Sequence, residues 1–202
     1  MSRSANAAAV LALACVATTA TAAAQQLPGA RFGIGAGLTL PTAEYHADNL
    51  GEGFNTGWQG LAFLEFREPK RPIGVRVDLV IGENPANDVR NAAVGATEKM
   101  RWFGGDVDVI YSFGRLAAGV GAYVLAGGGS YRITLSSKAG GIAAGDQSEN
   151  KFGWNAGAGI TLPVGPGAML LEARYFSISS TFISGGKAPF AALVAGFRFG
   201  RG

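Results

Sequence analysis

Residues 73–81 read Ile73-Gly74-Val75-Arg76-Val77-Asp78-Leu79-Val80-Ile81, and their alternation decides the fold. Ile73, Val75, Val77, Leu79 and Ile81 share one phase, whereas Gly74, Arg76 and Asp78 share the other. A strand repeats its side-chain direction every two residues and a helix every 3.6, so this stretch is a strand with one apolar and one charged face. The pattern recurs along the chain. Residues 31–40 set Phe32, Ile34, Ala36, Leu38 and Leu40 against Arg31, Gly33, Gly35, Gly37 and Thr39. Residues 57–67 set Trp58, Ala62, Leu64 and Phe66 against Gln59, Phe63, Glu65 and Arg67. Residues 101–113 set Phe103, Val107, Val109, Tyr111 and Phe113 against Gly104, Asp106, Asp108 and Ser112. Further segments cover 116–127 (with an extension towards 135), 152–162, 168–179 and 190–199, the last two carrying Glu172, Arg174 and Arg198 in their polar phase. Trp102 falls on the wrong phase, which suggests a bulge or a strand start there.

Proline placement agrees with this division. Pro28, Pro41, Pro69, Pro72, Pro85, Pro163, Pro166 and Pro189 all lie at or beyond segment ends, as expected of a residue that cannot donate to a ladder. The links alternate in length: 41–56, 82–100, 128–151 and 180–189 are long, and 68–72, 114–115 and 163–167 are short. Up-and-down membrane barrels have this rhythm, with tight periplasmic turns and longer outward loops. The expected fold is therefore all-β: a closed antiparallel transmembrane barrel of about eight strands.

The alternative is a soluble barrel of the lipocalin kind, acting as a periplasmic binder with its apolar phase inward. Export and the position of the aromatics argue for the membrane. Trp58, Phe103, Phe152, Trp154 and Tyr175 would sit near the outer rim, and Phe32, Phe66, Tyr111, Phe113, Phe197 and Phe199 near the periplasmic rim. Amphipathic rings collect at those two interfaces. The polar phase then faces the lumen. It brings together Glu65, Arg67, Arg76, Asp78, Asp106, Asp108, Glu172, Arg174 and Arg198. Buried charges must pair, so a salt-bridge network filling a narrow barrel is expected, with inward glycines making room for the arginines. Such a lumen conducts poorly; a narrow pore for small solutes is the competing reading.

The first residues form a separate unit. Arg3, an apolar run over residues 7–17 and Ala22-Ala23-Ala24 before Gln25 fit a secretory leader spanning 1–24, which leaves 25–202 as the barrel domain. The apolar run is shorter than the roughly 20 residues of a membrane helix. Cys15, the one cysteine, lies within the leader, and Ala12-Leu13-Ala14 is a poor match to a lipidation signal. Removing the leader leaves no thiol for disulfides, catalysis or metal binding. The net charge of +3 comes from scattered residues without a basic stripe, so nucleic acid is not an expected partner.

The eight alternating segments, four long links and three tight ones resemble the small outer-membrane barrel superfamily of the OmpA transmembrane domain, OmpX and the opacity-type adhesins, over about residues 30–200. The resemblance implies an outer-membrane location, lipid as surroundings and barrel-assembly machinery as a partner in biogenesis. Barrels of that family usually end in an aromatic residue. Phe197 and Phe199 alternate suitably here, but Gly200-Arg201-Gly202 follow. Lipid A deacylases of similar size use a histidine and a serine on late strands. His46 is the only histidine and sits in the first long link, so an enzyme is not expected. No cofactor or metal site is expected either: residues 48–53 do not meet calcium-loop spacing, and Asp106 with Asp108 is read as a partner for arginine. The function expected is non-enzymatic, structural or surface-interacting. An extracellular partner would be met by the links 41–56, 82–100, 128–151 and 180–189, where Tyr45, Phe54, Tyr131 and Phe182 stand.

Overall fold

Eight strands pair in chain order and the first closes on the last, so the barrel has no free edge along its wall. The computed structural model describes residues 29–68, 71–115 and 119–200; the expected leader and Cys15 lie outside them. The strands are β1 Ala30–Pro41, β2 Gly57–Phe66, β3 Ile73–Pro85, β4 Thr97–Arg115, β5 Gly121–Ala139, β6 Ile142–Val164, β7 Gly167–Ser179 and β8 Lys187–Phe199. Closure runs from Phe32 opposite Phe199 to Pro41 opposite Phe190. Two short helices, α1 Ala43–His46 and α2 Asp88–Val94, lie in the first and second outward connections. Asn87 caps α2 by accepting from the Arg90 amide, and Gly95 ends it in the left-handed region at φ 63°, where glycine carries no Cβ penalty.

Strand phase follows the alternation. Val77 and Leu79 are 42% and 52% exposed, while Arg76 and Asp78, which alternate with them, are 1% and 0% exposed. Apolar side chains therefore form the outer skin and charged ones fill the middle, the inverse of a water-soluble barrel. Trp58, Phe66, Phe103, Tyr111, Phe113, Trp154, Tyr175 and Phe199 all stand on the outside. Phe197 is partly covered, its ring lying 4.8 Å edge-on to that of Phe199.

Three expectations need correction. The link 128–151 is strand, not loop: β5 and β6 pair as far as Ala139 opposite Ile142. The turn is Gly140-Gly141, with φ 56° and 82°. Residues 146–150 are polar in both phases, so no amphipathic signal marks this strand, which its neighbour holds by backbone bonds and by a Thr134–Ser148 hydroxyl contact at 2.9 Å. The link 82–100 likewise shrinks, because β3 continues to Pro85 and β4 begins at Thr97. Trp102 is neither a bulge nor a strand start. It pairs in regular register with Gly82 and points inward, 2% exposed. The expected strand start at 116–118 lies outside the described residues.

The inward glycines also serve a different purpose from the one expected. Gly33 faces Phe63, Gly82 faces Trp102, Gly104 faces Tyr131 and Gly159 faces Tyr123, each as a direct cross-strand partner. A Cβ at any of the four would run into its partner's ring. The glycines are floors on which aromatic side chains lie flat across the lumen; Gly157, against the Arg174 side chain, is closer to the expected role. Gly159→Leu is expected to lift the Tyr123 ring and to destabilise the barrel by roughly 1–3 kcal/mol. Outward-facing Gly60→Ala meets only an Ile81 methyl at 3.3 Å and should be near neutral. Urea unfolding in detergent, read by tryptophan fluorescence, measures both.

Candidate functional site: a three-layered lumen

The central layer is made of charges that the ladder register places side by side. Arg76 lies opposite Asp108 and Asp78 opposite Asp106, while Glu172 and Arg174 project from β7 across the lumen. The Arg76 guanidinium donates to Asp78 Oδ1 at 2.9 Å and Oδ2 at 3.1 Å, and to Glu172 Oε2 at 2.7 Å and Oε1 at 2.9 Å. Arg174 donates to Glu172 Oε1 at 2.6 Å and to Asp78 Oδ2. Its Nη1 lies 3.2 Å from Asp108 and 3.6 Å from Asp106. Neutral donors complete the shell: Tyr123 to Glu172 at 2.5 Å, Tyr131 to Asp106 at 2.8 Å and Asn155 to Asp108 at 3.0 Å. Asp78, Asp106 and Asp108 offer carboxylate oxygens within 4.8 Å of one another, a spacing that suits a cation. Arg174 supplies the positive charge there.

Towards the periplasm lies a second layer. Glu65 accepts from Arg31 at 2.8 Å and lies 3.3 Å from Arg67 and 3.4 Å from Arg198. Arg31 is a lumen residue that the parity pattern exposes, since it shares a phase with Gly33 on β1. Below this layer the barrel opens into a vestibule of about 970 Å³ among the tight turns.

Towards the outside, the lumen is apolar rather than polar. Phe176 stacks on Phe190 with centroids 5.0 Å apart, and Trp102 packs on Phe190 at 5.0 Å. Tyr45 of α1 and Phe54 close the top, 5.1 Å apart. Tyr45, Phe54 and Tyr131 are fully buried, and Phe182 packs against the same cluster. These aromatics plug the barrel mouth instead of presenting a binding surface, because a ring exposed beside an apolar lumen gains more by filling it. Burial pushes the Tyr45 phenol well above its ordinary range. It stays protonated and donates to Asn84, which in turn donates to Thr39. The plug was readable only as apolar residues in the polar phase near the outer strand ends: Val80, Met100, Trp102, Ile133 and Phe176. His46 stands exposed at the end of α1, with the Asp48 carboxylate nearby in sequence turned back on the amides of Leu50 and Glu52.

The chain is similar to several known proteins. The chain is similar to neisserial surface protein A, at 18% identity and TM-score 0.59, over 86% of this chain and 97% of that one. It is also similar to Ail, the attachment invasion locus protein of Yersinia pestis, at 17% identity and TM-score 0.48, covering 86% and 100%. The N-terminal β-barrel domain of Pseudomonas aeruginosa OprF aligns at 15% identity and TM-score 0.42, covering 85% and 98%. Comparison with curated protein sequences gives no match. Residues 8–199 match the family described as outer membrane protein beta-barrel domain. With its apolar skin, closed eight-strand ladder and charged interior, the chain belongs to that family and resides in the outer membrane.

Proposed function

We propose that the protein is a non-enzymatic membrane anchor, in which a plugged barrel holds an extracellular β-extension for contact with a surface partner. The observation that carries this reading is the contrast between the two ends of the wall. Inside the membrane the lumen is closed by stacked charged and aromatic layers. Outside, β6 loses its β7 neighbour beyond Gly153 yet continues to Ile142, paired on one side only. At ~3.3 Å per residue this extension reaches roughly 30 Å. An unpaired strand edge on a cell surface offers backbone donors and acceptors to another chain. The interior carboxylates are engaged by arginine, tyrosine and asparagine, which argues against an acid–base role for them. The plug above and the ion pairs below argue against a pore. Biogenesis through barrel-assembly machinery fits the alternating Phe197 and Phe199 at the end of β8.

The charged layer acts in this reading as a cross-brace, because Arg76 links β3 to β7 through the middle of the barrel. Arg76→Met leaves Asp78 and Glu172 without their main partner and should cost about 3–5 kcal/mol. Adding Glu172→Gln to it should recover part of that loss. A single variant as stable as wild type in urea would remove the brace role.

Replacing residues 136–146 by an Asn-Gly turn tests the anchor, since Leu135 and Gln147 are already paired and Asn-Gly suits a two-residue hairpin. The shortened barrel should keep its heat-shifted gel mobility, and neither form should carry a steady current in planar bilayers. Cells displaying it should lose attachment to host-cell or neighbouring-cell surfaces. Undiminished attachment would eliminate the extension as the contact, and a steady current from the full chain would replace the anchor with a pore.

A further inference from the structure

The lumen charges are not mixed evenly; they are segregated along the barrel axis. The central layer holds four carboxylates (Asp78, Asp106, Asp108 and Glu172) and two arginines, Arg76 and Arg174. The periplasmic layer holds three arginines, Arg31, Arg67 and Arg198, around the single carboxylate Glu65. Each layer is thus out of balance by two charges, in opposite senses. All Asp and Glu residues of the sequence fall among the described residues; Glu68, the other carboxylate at this end, is exposed and paired with Arg71, so it does not offset the three inner arginines. The shortage shows in the hydrogen bonds. The Nε atoms of Arg31 and Arg198 are buried and have no acceptor among the described residues. A guanidinium has five donors in a fixed fork, and one carboxylate cannot saturate three of them.

These arginines line the vestibule of about 970 Å³ that opens between the periplasmic turns, which Ser112 and Thr161 also line. The central layer and the aromatic plug close its far end. We infer that this blind periplasmic vestibule is a binding site for a compact oxyanion of the phosphate type, taken up by Arg31, Arg67 and Arg198. A dianion supplies the two negative charges the layer lacks, and tetrahedral oxygens accept from guanidinium forks more than one at a time. The low dielectric of the barrel wall strengthens such a contact relative to water. The site opens along the barrel axis rather than through the lipid-facing skin, so its ligand comes from the periplasmic side.

Titration of the full chain with inorganic phosphate tests this, in a maltoside detergent free of phosphate and at constant ionic strength. Saturable binding by calorimetry is expected at millimolar phosphate or below, with chloride giving none. Arg198→Gln should weaken it roughly tenfold or more, and Arg67→Gln similarly. Arg101→Gln, which removes an exposed pair with Glu83 on the outer side, should leave binding unchanged. Heat-shifted gel mobility verifies folding of each variant, and Arg67, bridged only at 3.3 Å, keeps the test open where Arg198→Gln fails to fold. Repeating the titration in phosphatidylglycerol vesicles distinguishes the source. Unchanged affinity marks a soluble anion, and loss of free-phosphate binding there marks a lipid headgroup already seated on the same arginines. Absence of saturable phosphate binding in detergent, or equal weakening by Arg101→Gln, overturns the inference.

Discussion

Hydrocarbon offers no partner to a backbone amide or carbonyl, and the rest of this structure follows from that constraint. Each unpaired group costs several kcal/mol in the bilayer core, so a spanning sheet must close on itself. Closure between β1 and β8 fixes the other properties. A closed wall has two faces, and strand geometry assigns alternate residues to each. Lipid takes the apolar phase, which leaves arginines and carboxylates with nowhere to go but the axis. Eight strands leave a lumen only wide enough for side chains, so those charges meet one another rather than water.

The lumen solves this packing problem differently at each depth. In the middle, four carboxylates are held by two bridging arginines and by tyrosine and asparagine donors. The Arg76 guanidinium also lies 4.4 Å over the Phe63 ring, which a glycine floor at Gly33 allows. Above, rings from four strands and from α1 fill the space with apolar surface; Asn84, backed by Thr39, satisfies the Tyr45 phenol, and Asp106 that of Tyr131. Below, the wall is lined by cations around one carboxylate and the space stays open. Among the described residues, rings thus fill the outer end and the space stays open at the turn end. Outside the membrane the backbone constraint is lifted, because water can satisfy a free edge. β6 extends there beyond the end of its β7 neighbour, held by β5 alone.

Strand number, order and phase were legible in the sequence because lipid imposes them residue by residue. The row Ile73 to Ile81 would read the same in any context that buries one face and not the other. Arg76 and Asp78 announced an inward charge, and counting by twos found their partners on β4 and β7. What the parity rule missed is set by depth and by cross-strand register, neither of which a single strand records. Trp102 looked misplaced because the polar phase was taken to be polar along its whole length. Its neighbour across the ladder, Gly82, is twenty residues away in the chain, and only the register shows that one makes room for the other. Tyr45, Phe54 and Tyr131 looked like surface aromatics because a connection was assumed to face water. The outer end of the hairpin beyond Gly128 was hidden because residues 146–150 are polar in both phases and leave no alternation to read.

The orientation of the alternating face relative to lipid is the statement everything else needs, and site-directed spin labelling measures it directly. The only native cysteine is Cys15, in the expected leader, so single cysteines along β3 report without interference. Labels at positions 73, 75, 77, 79 and 81 should be accessible to oxygen dissolved in the bilayer, and labels at 74, 80 and 82 should be shielded from it. A period-two profile with maxima at the odd positions is the predicted result. A flat profile, or maxima at the even positions, would contradict the account.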